Sequence, residues 1–487
     1  MLNYVKLGQY KSYFTQQTIE FATPNRLQGQ LGLTILVGPN NSGKSTPLNC
    51  IVDLLDNQKT LTVEQSARHV NARAFLRVSG KTSSGGRPID FSVEAHLEKN
   101  EAYQVKTVLY NNIIAPMSSI NRKFFKYIPS RRPWSDRFSQ SSSMDYDQFE
   151  ANAKIQRKNS DTQLGQILQT IATDPTHKAE YSKLVRQVLP SMIDWGLDRI
   201  GGTDYVTYKT STGATHFMSE LGDGFSNIFR IAATIYFSKP NDTIALDEPE
   251  LSLHPQAQKR LFGLLSETSK DRQVIVATHS PYFISWDSLS KGAHLYRIAK
   301  RDSGRTSVQR LSTETVSRLL SITQKDIKNR KLYDTVAKEV FFQDEVVFLE
   351  GQEDVHILEA YLEQEGQKSL PFFGYGSGGA SHIISWLRMA KELGLRAAAI
   401  YDDDVSHLAD VASEEFSATP SVSIFNLGRD DIRDKYLRDG NCNTTGRCKE
   451  TTEILKEGYF DKRWVVKPTG KVEIDDLLNK VREHLKR

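Results

Sequence analysis

Apolar runs of strand length recur along this chain, and most of them end at a glycine or a carboxylate. They are LTILV at 33–37, TIALD at 243–247, QVIVA at 273–277, VVFLE at 346–350 and AAAIYD at 397–402. Runs this short and this continuous predict parallel strands covered on both faces, alternating with helices. The insertion at 65–115 has a different beat. RAFLRVSG, a KTSSGGRP turn, IDFSVEAHLEK and AYQVKTVLYN alternate apolar and polar positions, which predicts an antiparallel β-lobe beside the first α/β half. Residues 138–165, rich in Ser, Gln, Asp and Lys, read as a loop or a loosely held helix. Residues 311–342 read as helical. A second alternation then begins: DEVVFLEG, the amphipathic EDVHILEAYLEQEG, LPFFGYG, the helical SHIISWLRMAKELG, and RAAAIYDDD. The expected fold is α/β in three parts, at 1–310, 311–342 and 343–487, with a small parallel sheet in the last.

A length of 487 residues supports that division, because it exceeds what one core ordinarily holds. No apolar run reaches membrane-spanning length, and the opening MLNYVKLGQYKSYF lacks the apolar core of a secretion signal, so a cytoplasmic protein without membrane contact is expected. Three cysteines offer no disulfide framework, and Cys442 and Cys448 lack neighbouring ligands for zinc. The net charge of +4 is uninformative, but its distribution is not. Residues 297–331 carry ten Lys/Arg against three Asp/Glu, and 121–140 carry six basic residues, Arg131 and Arg132 among them, with Phe and Trp interleaved. Such stretches are either solvated faces or a phosphate-backbone footprint.

The first apolar run leads into Gly38-Pro-Asn40-Asn41-Ser-Gly43-Lys44-Ser45-Thr46. After a strand and before a helix, this spacing curls backbone N–H groups around phosphate. Lys44 then reaches the β/γ-phosphates, and the Ser45 hydroxyl ligates Mg²⁺. The second run ends in Asp247-Glu248, with Asp247 a magnesium ligand and Glu248 the residue that polarises the attacking water. The third ends at His279, 31 positions after Glu248, where it meets the γ-phosphate. Pro47 falls near the fifth residue of the phosphate-binding helix, where it removes a hydrogen bond and bends the axis. Taken together, these segments resemble the ABC-type ATPase heads of the RecF/SMC group. That resemblance implies a head-to-head dimer in which a signature motif of one subunit completes the ATP site of the other. SELGDGFSNIF at 219–229 is the candidate signature, with Gly222 and Gly224 as nucleotide contacts. Gly222 stands where that group carries serine, which implies slow hydrolysis.

The second half holds a run of three aspartates at a strand end. A wet loop is one reading. In an extended tip, however, Asp402 and Asp404 share a face while Asp403 points away. Glu350 leaves the neighbouring strand, and Asp354 lies in the first turn of the helix that follows. Four carboxylates at adjacent strand ends repel each other unless cations sit among them, so Glu350, Asp354, Asp402 and Asp404 are candidate ligands for a divalent pair. An E-x-x-x-D strand end followed by a D-x-D strand end resembles the Toprim domain. Behind an ABC-type head and a helical segment, FFQDEVVFLEGQED resembles the OLD (overcoming lysogenization defect) family of ATP-dependent endonucleases.

That family implies a two-metal nuclease using Mg²⁺, with Mn²⁺ possible, in which Glu350 also acts in the chemistry. It also implies a late acidic motif after a final strand, carried here by Glu473 and Asp475 in RWVVKPTGKVEIDDLL. It further implies a late lysine against the scissile phosphate, with Lys480, Lys486 and Lys467 as candidates. Ser377, in GYGSGG, either touches that site or belongs to a turn without chemistry. The implied partners are DNA, a second copy of the chain through the ATPase and helical segments, and a helicase or a reverse transcriptase with its non-coding nucleic acid in an antiphage defence system. Two other functions fit the same motifs: a nucleotide-sensing scaffold that restrains a partner protein, and an RNA-cleaving toxin using the same carboxylates.

Overall fold

The computed structural model describes residues 1–55, 74–84, 87–97, 107–110, 113–115, 122–130, 137–138, 161–200, 203–210, 212–217, 223–300, 304–325, 333, 335–442 and 448–486. These form two compact units, Met1–Val308 and Gln309–Arg487.

A six-stranded sheet organises the first unit. We number its strands β1 (Leu33–Val37), β2 (Phe125–Ile128), β3 (Thr243–Asp247), β4 (Gln273–Ala277), β5 (His294–Lys300) and β6 (Thr306–Arg310); their spatial order is β6-β5-β1-β4-β3-β2. The pairs from β5 through β2 are parallel, with Leu36 opposite Ala277 and Ala277 opposite Asp247. Every residue of β1, β3 and β4 is buried, as their unbroken apolar sequences require of strands covered on both faces. The register brings the chain after Val37, Asp247 and Ala277 to one edge of the sheet. Helix α1 (Ser45–Leu55) packs Leu48, Ile51 and Leu54 into a core shared with Leu36, Ala245 and Ile275. That core continues into the expected β-lobe. There Leu2–Gly8, Gln17–Glu20, Ala74–Ser84, Arg87–Leu97, Thr107–Tyr110 and Ile113–Ala115 form an antiparallel sheet. Helices α2 (Asp223–Phe237) and α3 (Pro255–Thr268) complete the elements that matter for the site.

Pro47 departs from expectation. The helix starts at Ser45, so proline occupies its third position, where an N–H has no acceptor within the helix. No intrahelical bond is lost there, and Pro47 is buried in the first turn.

The second unit begins with α4 (Thr313–Thr323), whose start is fastened by Glu392. That carboxylate accepts from the Ser312 hydroxyl at 2.7 Å and the Thr315 hydroxyl at 2.6 Å. The helical segment therefore folds with the unit that follows it. β7 (Glu345–Phe348), β8 (Arg396–Tyr401) and β9 (Val422–Asn426) form a parallel sheet in that order. The expected strand LPFFGYG shrinks to one parallel bridge, Phe372 to Val347. Helices α5 (Gln352–Gln364), α6 (Ala380–Glu392), α7 (Ser406–Phe416) and α8 (Lys471–Lys486) surround the sheet. A hairpin of β10 (Lys435–Cys442) and β11 (Cys448–Lys456) projects after β9.

The core joins Val347, Ala398 and Ile400 to Ile357, Leu358 and Tyr361 of α5 and to Ile474, Leu478 and Val481 of α8. Spacings of four and three place those α8 residues on one helix face. Leu478 is fully buried within this cluster. Leu478→Ala is expected to lower the stability of the unit by about 2–5 kcal/mol, read from denaturant unfolding.

Candidate functional site

Two sites lie at the carboxyl ends of parallel strands, one in each unit. In the first, the loop after β1 needs its glycines for space and for angle. A Cβ on Gly38 would fall 2.0 Å from the Ile298 carbonyl oxygen, and Gly43 holds φ +102. Asn41 takes a left-handed φ of 60. The loop is anchored from outside by the Tyr13 hydroxyl, which donates to the Gly43 carbonyl at 3.0 Å, and by the Thr306 hydroxyl, which donates to that of Ser42 at 2.9 Å. Lys44 is buried and donates to the carbonyls of Gly38 and Pro39 at 2.8 and 2.7 Å. Burial lowers its proton affinity, opposed by the charges of Glu248, Glu250 and Asp247. The Ser45 hydroxyl donates to Asp247 Oδ1 at 2.8 Å, joining the first turn of α1 to the end of β3. Thr46 is buried beside them, and Asn40 and Asn41 face solvent.

Glu248 adopts φ 49 and sets its Oε1 3.0 Å from His279 Nε2. Glu250, absent from the sequence reading, braces this pair. It is 8% exposed, and one of its oxygens accepts the His279 backbone N–H at 2.8 Å. Its other oxygen, like His279 Nδ1, is buried without a hydrogen-bond partner. Burial raises the Glu250 pKa. Gly222 lies outside the described residues. Gly224, second residue of α2, lies so close to the Ser252 carbonyl oxygen that a Cβ would come within 2.3 Å of it.

In the second unit the backbone turns each carboxylate toward one place. Asp354, at the third position of α5, accepts the Gly351 N–H at 2.8 Å, and Glu350 accepts the Asp402 N–H at 3.3 Å. The Gly-rich turn wraps this strand end. Ser377 N–H donates to the Leu349 carbonyl and Gly379 N–H to that of Glu350, both at 2.9 Å. A Cβ on Gly376 would meet Gly351 at 2.4 Å. The Ser377 hydroxyl is buried without a hydrogen-bond partner, so what this turn demonstrably does is hold backbone. Asp402 is pushed up to about 9 by burial first and then by the charges of Asp354, Glu350, Asp431 and Asp404. Asp354 rises to about 7, by burial and then by Asp431 and Glu350, and Glu350 is raised chiefly by burial. These shifts mark charges crowded out of water.

Asp404 arrives by a different route from the one expected. The chain does not stay extended after Asp402 but enters a 3-10 turn, Asp403–Val405. Asp404 pairs with Lys456 at the end of β11, and the Asp403 N–H donates to the Arg429 carbonyl at 2.9 Å.

Two late carboxylates do not join the group. They lie in α8, not after a strand: Asp475 accepts from the Tyr361 hydroxyl at 2.8 Å and Gln367 at 3.1 Å, and Glu473 pairs with Arg429 at 3.1 Å. In their stead Asp431, 7% exposed, bears on Glu350, Asp354 and Asp402. Its segment follows β9 in NLGRDDIRD, the same strand-then-carboxylate pattern as the other tips, and extending the comparison one strand further finds it. The segment is braced by Glu353, which takes Arg433 and Lys435 at 2.6 Å each.

Of the late lysines, Lys480 pairs with Asp476 at 2.6 Å with its side chain 62% exposed, and Lys467 pairs with Asp434 at 2.9 Å. Lys486 is exposed at the end of α8. Two lysines of the hairpin reach the cluster, Lys456 against Asp404 and Lys435 3.4 Å from Asp431, and the sequence carries no local signal for either. Among the described residues no three His, Cys, Asp or Glu side chains form ready-made metal-ligand geometry. The oxygens are an open set of hard donors, the type that divalent Mg²⁺ and Mn²⁺ take. Arg131, Arg132 and residues 301–303 and 326–331 of the basic stretches lie outside the described residues. No described helix is long and apolar enough to cross a membrane.

Comparison with known proteins matches residues 33–285 to an AAA domain described as "putative AbiEii toxin, Type IV TA system", and residues 341–404 to the Toprim domain of overcoming lysogenization defect protein-like chains. The chain belongs to this OLD-type family of ATPase–Toprim proteins. The OLD nuclease of Thermus scotoductus is 29% identical over 203 residues, 40% of this chain and 38% of that protein. The Old nuclease of Escherichia phage P2 is 28% identical over 158 residues, 30% of this chain and 26% of that one. This OLD-type chain therefore matches less than two fifths of either relative's length. The SMC head domain from Thermotoga maritima aligns with 64% of the chain and 99% of its own length at 16% identity and TM-score 0.38.

Glu250→Ala is expected to lower the stability of the first unit by about 1–3 kcal/mol, because it strips the acceptor from the part-buried His279 N–H. Glu250→Gln keeps an oxygen there and is expected to restore most of the loss. Equal destabilisation of both variants in denaturant unfolding would exclude this role.

Proposed function

We propose that this OLD-type chain is an ATP-regulated, divalent-metal-dependent nuclease that cleaves DNA, acting as an effector of antiphage defence. The observation that carries the reading is the gathering of Glu350, Asp354, Asp402 and Asp431 around one strand edge, buried enough to raise the pKa of the first three. Such repulsion is relieved by taking up protons or by a cation among the oxygens, and hard carboxylate donors gathered at one strand edge suit a divalent ion. Glu350, Asp354, Asp402 and Asp404 would hold Mg²⁺, or Mn²⁺ in its place, with Asp431 closing the set. A divalent ion bound there supplies charge stabilisation to a phosphodiester under attack. Lys456, paired with Asp404, would take the phosphate charge, the role expected of Lys480. Glu353, Arg433 and Lys435 hold the Asp431 segment in place.

In the first unit, Lys44 and the N–H groups of residues 40–46 would cradle the phosphates of ATP, with Gly224 bringing α2 close. Ser45 and Asp247 would share the magnesium ion. Glu248 would orient the attacking water, and its partner His279 would sense the γ-phosphate. The OLD-type family supports assembly as a homodimer or larger homo-oligomer through the ATPase and helical segments. A cytoplasmic site of action with a helicase or reverse-transcriptase partner belongs to the same proposal.

Lys44→Ala is expected to abolish ATP binding, and Glu248→Gln to bind ATP but release phosphate at least about tenfold more slowly. Equilibrium binding and phosphate release check the two separately.

Glu350→Ala, Asp402→Ala and Asp404→Ala are each expected to lose at least about a hundredfold in cleavage, because several kcal/mol of charge stabilisation go with the ligand. Asp403→Ala is expected to keep most of its activity, and ATP turnover to survive all four changes. The assay is nicking of plasmid, single-stranded DNA and tRNA across a Mg²⁺ series. Cleavage of tRNA alone would turn the reading to RNA, and equal mild effects at 402, 403 and 404 would return the aspartates to a wet loop.

A further inference from the structure

The stretch DKRWVVK, residues 461–467, holds an aromatic side chain in a costly place. Trp464 adopts φ 64, the left-handed region that a bulky residue rarely enters. The turn is closed on itself. Asp461 Oδ1 accepts the N–H groups of Arg463 at 2.7 Å and Val465 at 3.0 Å, and the Asp461 N–H donates to the Val465 carbonyl at 2.9 Å. The Trp464 N–H donates to the Asp461 carbonyl at 3.0 Å.

This rigid turn does not serve to bury the indole, which stays 41% exposed beside Val465 at 57%. The other described tryptophans, Trp195, Trp286 and Trp386, are at most 7% exposed. The turn is rooted on the segment that carries Asp431. Phe460 bridges to Arg433 and accepts the Asp434 N–H at 2.8 Å, while Lys467 reaches buried Asp434 at 2.9 Å. Lys462 and Arg463 precede the indole, and Lys462 lies 5.8 Å from the Tyr436 ring centre.

An exposed flat ring on a closed turn, preceded directly by two exposed cations, suits a chain of alternating π-faces and phosphates. We infer that Trp464 is a stacking platform for an unpaired nucleobase of a strand held at the carboxylate cluster, with Lys462 and Arg463 taking its phosphates. The inference rests on the nuclease reading and narrows it to a strand that is single or opened at this point. A paired base keeps its faces stacked within the duplex and gains little from the indole. Asp461 and Asp434 shape and root the turn and do not meet the ligand.

The test uses the full chain, with Trp464→Phe and Trp464→Gly, and a labelled oligothymidylate and a duplex of equal length as probes in Ca²⁺. Trp464→Gly relieves the backbone angle, so its melting temperature is expected to match or exceed that of the unaltered chain. It is nonetheless expected to bind the oligothymidylate about tenfold more weakly, with Trp464→Phe recovering most of the loss and duplex affinity moving less than about twofold. Hydrolysis of bis(p-nitrophenyl) phosphate with Mn²⁺ is expected to be unchanged in both variants. If the unaltered chain hydrolyses no diester, the nuclease reading fails, while the binding data still judge Trp464. Unchanged oligothymidylate binding in Trp464→Gly overturns the inference, as does an equal loss for single strand and duplex. A fall in oligomer mass with nucleic-acid binding intact overturns it in favour of a protein contact.

Discussion

Like charges drawn to one edge of a parallel sheet set the terms for the second unit. Parallel strands end together, so Glu350 after β7, Asp402 after β8 and Asp431 after β9 reach the same edge by topology. In water these carboxylates would separate. Here much of the surrounding structure resists that separation: backbone N–H groups from Gly351 and Asp402, a glycine turn pressed on Gly351, and lysines from both ends of the hairpin. The hairpin is thus more than decoration. It is the element that returns positive charge to a place where the sheet supplies only negative.

The first unit meets a related constraint with the signs divided. Its strand edge carries Asp247 and Glu248, but the loop after β1, at the same edge, brings Lys44 and Ser45 beside them. Attraction there does what covalent geometry cannot, tying β3 to the first turn of α1 across 202 positions of sequence. Glu250 extends the arrangement outward, fixing the main chain of the residue whose ring meets Glu248.

Local pattern made much of this legible. Unbroken apolar runs marked five of the buried strands, and the glycine spacing after β1 marked the phosphate loop, because both are dictated by neighbours in sequence. What escaped depends on distance or on small shifts. Lys456 reaches Asp404 from 52 positions away through a hairpin register that no short motif encodes. Asp431 was missed because VSIFN, with its polar positions, does not look like a buried strand until its parallel neighbour is seen. Asp404 depended on extended geometry that a 3-10 turn replaced. A helix boundary displaced by two residues changed Pro47 from a defect into a neutral feature. Glu473 and Asp475 look like a motif in sequence, but Tyr361 and Arg429 claim them.

The left-handed backbone in and around the first unit's strand-end site carries a consequence for its history. Asn41, Glu248 and Ser252 hold φ values of 60, 49 and 59. Each is a position where glycine would sit more easily, so each side chain is held there at a cost in backbone strain. A lineage released from the need for nucleotide would gain stability by yielding at these three places. They are where neglect would be recorded first, well before the buried strands around them lost their apolar residues.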